Sequence, residues 1–337
     1  MRKPFIIFVF LLFVTCVFSQ TKVDSLIEEG IQLHEKGEFE NAIAMYNLAL
    51  EIEPENSLAF YEIAYSYLQL KNYSKAIKFA DKVIEQDGEH VLMSYVLKGN
   101  ALDYIGKTQE SIELFEKAIK KKGGHYLLYY NLGLNYYKTN NPIKTEEALI
   151  NALMLKFNHA SSHLLLSYLM FENKQKAKSL LCLHYFLFIE PNTERSKKAY
   201  SLIKEQFGSN VKRDENNPQS ITITFDPDIE DKDFRAADLM ISMLEVSKSI
   251  EKNEGKTEDE LFIENTESFF KFMGELKKKK HKGLWWEYYV PFFDDIAKSG
   301  HIEAYCNYIS QSSNENAVKW MEDNEKKLDE FGQWLQQ

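Results

Sequence analysis

Histidine is the residue with the most chemistry to offer in this chain of 337 residues, and its spacing is regular. His90, His125 and His159 recur 35 and 34 residues apart, so elements of equal length would set them along one edge of a stack. Such a row cannot share a metal, because packed helices sit about 8–10 Å apart whereas each ligand of one ion lies about 2 Å from it. His159 and His163 are four apart and could approach on a helix, but no glutamate follows the first of them, so the metalloprotease pattern is absent. These histidines are expected in turns between helices, and no metal site is assigned. Asp226, Asp228, Glu230, Asp231 and Asp233 open like a calcium loop, yet Asp231 stands where that loop requires glycine and Ala237 where it requires glutamate. Cys182 falls in the expected repeat array and Cys306 in the expected C-terminal domain; they could pair in an oxidising compartment, but buried free thiols are the commoner state of such lone residues. No phosphate loop, nucleophile elbow or thiol–histidine signature occurs, so no catalytic residue and no cofactor is assigned.

The elements that would position any site must be helices held by an apolar core. A composition of 44% hydrophobic and 27% charged residues is globular, and 14 glycines, 7 prolines and 3 cysteines are too few for loop-rich or disulfide-stapled architectures. The net charge of −10, with four arginines among 41 basic residues, argues against a nucleic-acid partner, which requires concentrated basic charge. Residues 1–19 read as a signal peptide. Arg2 and Lys3 precede an apolar run from Phe5 to Phe18, and cleavage is expected after Ser19. That run is shorter than the roughly 18–20 residues needed to span a bilayer. Lipidation at Cys16 is the lesser alternative, because Phe13-Val14-Thr15 makes a poor lipobox.

A shift of 34 aligns Ala49-Leu50-Glu51-Ile52-Glu53-Pro54-Glu55-Asn56 with Val83-Ile84-Glu85-Gln86-Asp87-Gly88-Glu89-His90 and with later segments, which signals a stacked array of one helical unit. The first unit, 23–56, carries Gly30, Leu33, Gly37, Phe39, Ala42, Tyr46, Ala49 and Pro54; the second, 57–90, carries Phe60, Ala64, Tyr67, Tyr73, Ala76 and Ala80. The third, 92–125, has Gly99, Leu102, Gly106, Ile112, Phe115 and Ala118, and the fourth, 126–159, has Tyr129, Leu132, Gly133, Tyr136, Leu149 and Ala152 but Thr145 where alanine is usual. The fifth, 160–193, keeps Leu166 and Pro191 and is degenerate at Ser167, Ser179 and Phe186. This pattern resembles the tetratricopeptide repeat (TPR). The resemblance implies an all-α fold, a right-handed α-solenoid of helix pairs over 23–193, in which small residues let paired helices approach and aromatic residues fill the space between units.

Residues 194–207 are expected as a capping helix, 208–220 as a linker rich in Gly, Ser, Asn, Asp and Pro, and 221–337 as a helical C-terminal domain. Ile221, Ile223 and Phe225 alternate as a short strand without an evident partner, which predicts an extended segment laid against helices. Ala236, Leu239, Met240, Met243, Leu244, Ser247 and Ile250 define the expected buried face of the next helix, and further helices are expected over about 258–280, 285–299, 302–312 and 315–335. The stretch from Trp285-Trp286 through Gly300-His301 resembles the tails of exported TPR proteins of Bacteroidetes-like bacteria and assigns no activity.

In TPR arrays the first helix of each unit lines a concave groove. Those faces here contribute Tyr61, Tyr65, Gln69, Asn100, Asp103, Tyr104, Tyr130, Asn131, Tyr137, Lys138, Tyr168 and Phe171, an aromatic and mildly polar surface suited to a protein or peptide partner. Family members that clamp a terminal carboxylate use a lysine and an asparagine where this chain has Ile27 and Ile31, so that clamp is not expected. Together these features predict a non-catalytic interaction scaffold exported to the periplasm, for which membrane association is not required. The alternative is an envelope glycan-binding protein that uses an exposed aromatic cluster around Trp285-Trp286. Lys277 to Lys280 with Lys282 form the one basic run, expected as a solvated helix end.

Overall fold

The computed structural model describes residues 22–208, 211–213, 221–223, 232–247 and 255–337. The leader with Cys16 and Ser19, most of the 208–220 linker, and Asp226, Asp228, Glu230 and Asp231 lie outside the described residues. Within them the chain is all-α apart from one small hairpin, and it forms two compact units, residues up to Ala148 and Leu149–Gln337.

The first unit is a run of antiparallel helix pairs. Helix α1 (22–35) pairs with α2 (Phe39–Ile52), α3 (Ser57–Gln69) with α4 (Tyr73–Gln86), and α5 (Val91–Tyr104) with α6 (Thr108–Lys122); α7 (Tyr126–Lys138) and the start of α8 (Pro142–Leu155) follow. Local chemistry starts and ends these helices. Asn56 and Asn72 cap α3 and α4 by accepting the amides of Ala59 (2.9 Å) and Lys75 (3.3 Å). The turn inside each pair places one residue in the left-handed region, at Gly37, Lys71, Gly106, Asn140 and Lys174. Three of those five positions are not glycine, and each accepts a cost of roughly 1 kcal/mol that the packed pair on either side imposes.

Close approach within a pair depends on missing side chains. A methyl group added to Gly30 would lie 2.3 Å from the Tyr46 ring, and one added to Gly99 would lie 2.1 Å from the Phe115 ring, both rings being fully buried. Below Gly99 runs a buried polar chain, in which Asn135 Nδ2 donates to Ser111 Oγ and Ser111 Oγ donates to the Gly99 carbonyl, each at 2.8 Å. Thr145, where the repeat expects alanine, is also fully buried and satisfies its hydroxyl on the Asn141 carbonyl (2.8 Å). The substitution is tolerated because the added polar atom bonds within its own helix.

The second unit is organised around α10 (Lys176–Ile189), in which every side chain from Ser179 to Leu187 is buried. A helix apolar on all sides belongs to a core rather than to the outer layer of a solenoid. That accounts for the degenerate fifth repeat: α9 (Ala160–Glu172) and α10 keep the helix-pair geometry, but α11 (Glu194–Gly208), α12 (Lys232–Ser247) and α15 (Ile302–Ser310) pack around α10. The division of the chain therefore falls within α8, whereas the sequence places the change at 208–220.

Three further expectations need correction. Ile221–Ile223 (β2) does have a partner strand, Val211–Arg213 (β1), with which it pairs antiparallel in the register Val211↔Ile223. On α12 the buried face is Phe234, Ala237, Asp238, Ile241 and Ser242, while Leu239 and Met243 are exposed, because two polar residues of that helix have partners on α10. The last expected helix is two, α16 (Glu315–Asp323) and α17 (Glu325–Trp334), broken at Asn324; α13 (Glu258–Leu276), α14 (Val290–Lys298) and α15 account for the others. α13 opens on a capping box between Thr257 and Glu260.

Buried histidines tie α9 and α10 to the C-terminal helices. His184 Nδ1 lies 3.1 Å from the Tyr305 hydroxyl inside a cage of Phe262, Phe270 and Phe293, and its burial lowers its pKa to about 3. The folded value is below the ordinary 6.5, so the stability tied to neutral His184 is intact above pH 6.5 and is lost as pH falls toward 3. All four tryptophans of the chain lie in this unit, so their fluorescence follows its unfolding. Between pH 6 and 4 the wild type is expected to lose about 1.4 kcal/mol per pH unit more than His184→Gln. Parallel pH profiles for the two proteins would show that His184 is protonated in the folded state.

Candidate partner-binding groove

The face mapped from the sequence contains an open pocket of about 530 Å³ on α1 and α3, lined by Ile31, His34, Glu35, Gly37, Phe39, Tyr61, Glu62, Tyr65 and Gln69. Tyr61, Tyr65 and Gln69 recur at helical spacing on α3, which brings all three to one side. The rings form a wall: His34 stacks on Tyr65 at 4.5 Å and meets the edge of Phe39 at 4.9 Å, Tyr61 follows Tyr65 at 6.4 Å, and His90 stacks on the far side of Tyr61 at 5.6 Å. A 2.8 Å hydrogen bond between His34 Nδ1 and Ser66 Oγ fixes the imidazole, and burial lowers its pKa, which keeps it neutral at physiological pH. Burial raises Tyr61 to about 12 and Glu62 to about 7. Glu62 has no hydrogen-bond or ion-pair partner among the described residues.

Sequence reasoning missed His34, Glu35 and Glu62. It tested α1 only at Ile27 and Ile31, and of these Ile27 is buried while Ile31 lines the pocket. The signal for Glu62 was its spacing, since 62, 65 and 69 share a helical stripe (i, i+3, i+7). Farther along, Asp103 of α5 and Lys138 of α7 form an ion pair, and Asp103 also accepts from Thr108 Oγ1 at 2.8 Å. Tyr104 is 62% exposed and stacks on Tyr73 at 5.3 Å. Asn100, Tyr130 and Tyr137 are half-buried. Asn131 departs from the expected surface: it is 7% exposed and donates to the Leu127 carbonyl of its own helix (2.8 Å), so it is a packing residue. Tyr168 and Phe171 lie on α9, in the second unit, and are half-buried there.

The regularly spaced histidines stand at helix N-termini, and only His125 caps its helix through the side chain. His90 and His159 occupy the N-cap positions of α5 and α9, and His125 Nδ1 accepts the Leu127 amide at the start of α7 (3.3 Å). His163 is fully buried within α9. It lies between the Tyr289 hydroxyl and the Phe157 carbonyl, both at 2.5 Å, and Cys182 Sγ donates to Tyr289 at 3.3 Å. Cys182 and Cys306 are buried thiols that are not joined in a disulfide.

Trp285 and Trp286 are 8% and 6% exposed, packed against Phe234 and, for Trp286, His281 at 4.2 Å. They sit in a π-helical turn, Trp285–Tyr289, in which the Val290 amide bonds back to the Trp285 carbonyl just before Pro291, a residue with no amide hydrogen to give. A sugar-stacking platform needs exposed ring faces, so this cluster is core rather than platform. Of the basic run, Lys278 pairs with Asp233 at 2.9 Å and Lys282 with Glu287 at 3.2 Å, beyond the end of α13.

Comparison with known proteins bears on the first unit. The family profile of subunit 3 of the anaphase-promoting complex (cyclosome) matches residues 35–118. A TPR repeat-containing protein of Methanocaldococcus jannaschii is 24% identical over 112 residues, and small glutamine-rich tetratricopeptide repeat-containing protein 2 of Saccharomyces cerevisiae is 27% identical over 105. The fold of the first unit is that of a TPR array. These matches cover 33% and 31% of the chain but only 19% and 30% of the relatives. Among solved structures, PilF of Pseudomonas aeruginosa resembles 56% of the chain over 87% of its own length (18% identity, TM-score 0.48), and a thermophilic TPR protein of Thermus thermophilus resembles 55% over 98% (17%, 0.46). TPR domains as a class are interaction modules that bind proteins or peptides and are generally non-catalytic.

Proposed function

We propose that this chain is a non-catalytic scaffold or adaptor of the bacterial cell envelope, exported by cleavage after Ser19, which holds a protein or peptide partner on the inner face of its TPR array. The observation that carries this reading is the open pocket on α1 and α3, walled by the half-buried rings of Tyr61 and Tyr65. Such rings offer large contact area at small entropic cost, which suits an interface. The proposed periplasmic location rests on the expected leader alone.

The test compares crosslinked complexes from envelope extracts for the wild type and for a Tyr61→Ala, Tyr65→Ala, Tyr130→Ala, Tyr137→Ala variant shown by circular dichroism to remain helical. A protein held by the wild type and lost at least tenfold from the variant supports the groove. Equal recovery by both removes it. N-terminal sequencing of the mature protein from a periplasmic fraction should begin at Gln20.

A further inference from the structure

Resting on that reading, the geometry points to the chemistry of the partner: the pocket on α1 and α3 is a site for a cationic side chain, an arginine or lysine of an extended partner segment, which pairs with Glu62 beside the rings of Tyr61 and Tyr65. Three observations meet here. The only charged side chains lining the pocket are two carboxylates, Glu62 in its wall and Glu35 at its exposed rim. Glu62 has no partner of its own among the described residues. A half-buried carboxyl in that state carries an unrecovered desolvation cost, visible in its pKa of about 7, and a ligand cation would recover it. The walls are aromatic, and the faces of Tyr61 and Tyr65 attract cations in their own right, more so out of water.

The surroundings keep the site negative. His34 is bound to Ser66 and held neutral by burial, so it does not repel a cation. The hydroxyl of Tyr46, fully buried and without a hydrogen-bond partner, has its pKa raised by burial and by the Glu62 charge, so it does not neutralise that charge. Ile31 lines the floor where carboxylate-clamping relatives would present a cationic or amide group. The polarity of the site is therefore the reverse of such a clamp, and an acidic chain terminus would meet apolar and negative surface.

The experiment uses three blocked pentapeptides, alanine throughout except for a central arginine, citrulline or glutamate. Citrulline matches arginine in shape and carries no charge. Each is titrated into the protein at pH 8 and low salt, with the Ile31 methyl and the Tyr61 and Tyr65 ring resonances followed by NMR. The arginine peptide is expected to bind at least fivefold more tightly than the citrulline peptide and to move those resonances, and the glutamate peptide to bind more weakly than either. Glu62→Gln should abolish the arginine preference, while Glu85→Gln on the exposed side of α4 should retain it. Glu62→Gln removes a carboxyl that burial disfavours, so its melting temperature should not fall, and loss of binding cannot then be assigned to unfolding. Equal affinity for arginine and citrulline, or an arginine preference that survives Glu62→Gln, overturns the site. If the site fails while the four-tyrosine variant still loses its crosslinked partner, the groove stands and its chemistry is not cationic. If the peptide result holds and no groove-dependent partner is captured, the pocket stands without the scaffold reading.

Discussion

Gly99→Ala is expected to destabilise the first unit by about 1–2 kcal/mol in the wild type and to stabilise it by about 0.5–1 kcal/mol once Phe115 has been cut to alanine. The reversal follows from geometry. The alanine methyl would lie 2.1 Å from Phe115 Cζ, and the ring is fully buried in a cluster with Tyr95, Ile112, Leu128 and Leu132, so it has no free volume into which to move. Without the ring, the same methyl occupies space, and only the better helix propensity of alanine remains. Phe115→Ala alone should cost about 3–5 kcal/mol, the usual price of deleting a buried aromatic side chain. Denaturant unfolding followed by far-ultraviolet circular dichroism measures all four proteins of the cycle. An effect of Gly99→Ala with the same sign in both backgrounds would show that α5 and α6 do not meet at this point.

In the second unit, Asp238→Ala is expected to cost about 3–5 kcal/mol, clearly more than Asp238→Asn. The carboxylate accepts the Ala177 amide at 2.6 Å, in the first turn of α10, where an unpaired N–H and the helix dipole favour negative charge. It also sits close enough to buried Lys176 for each to feel the other's charge, and Lys176 Nζ lies 3.4 Å from Ser242 Oγ. Burial pushes the Asp238 pKa up and the Lys176 pKa down, each partly offset by the other. Alanine removes both the cap and the counter-charge; asparagine keeps an acceptor for Ala177. Replacing both charges, in Lys176→Met with Asp238→Asn, should recover stability to within about 1 kcal/mol of the wild type. Tryptophan fluorescence against denaturant reads these changes. Equal losses for alanine and asparagine would mean that the bond to Ala177 contributes nothing.

The repeat was legible because its signature is a period. Small residues at Gly30 and Gly99 and the aromatic residues 16 positions later record the helix crossings directly. The turns were only half visible: Gly37 and Gly106 announce left-handed backbone, whereas Lys71, Asn140 and Lys174 adopt it through the constraint of the packed pairs. The alternation at Ile221 and Ile223 showed one strand, but its three-residue partner Val211-Lys212-Arg213 has a single apolar residue and left no alternation from which to read the pairing. The face of α12 was misread because periodicity counts apolar residues, and the positions that face α10 include Asp238 and Ser242. For the groove, the tyrosines on α3 were found by their spacing. Glu62 was not, because an acidic residue on a helix reads as solvent-facing until its neighbours show that water has been partly removed from it.

The proposed scaffold holds its partners on the inner face of the first unit. Site-directed photocrosslinking tests it most directly, with a benzophenone side chain placed in turn at Tyr65, at Tyr104 and, on the exposed sides of the second helices, at Glu85 and Lys117. One discrete crosslinked product is expected, shared by positions 65 and 104 and absent from 85 and 117. A product formed equally from all four positions, or only from 85 and 117, would contradict it.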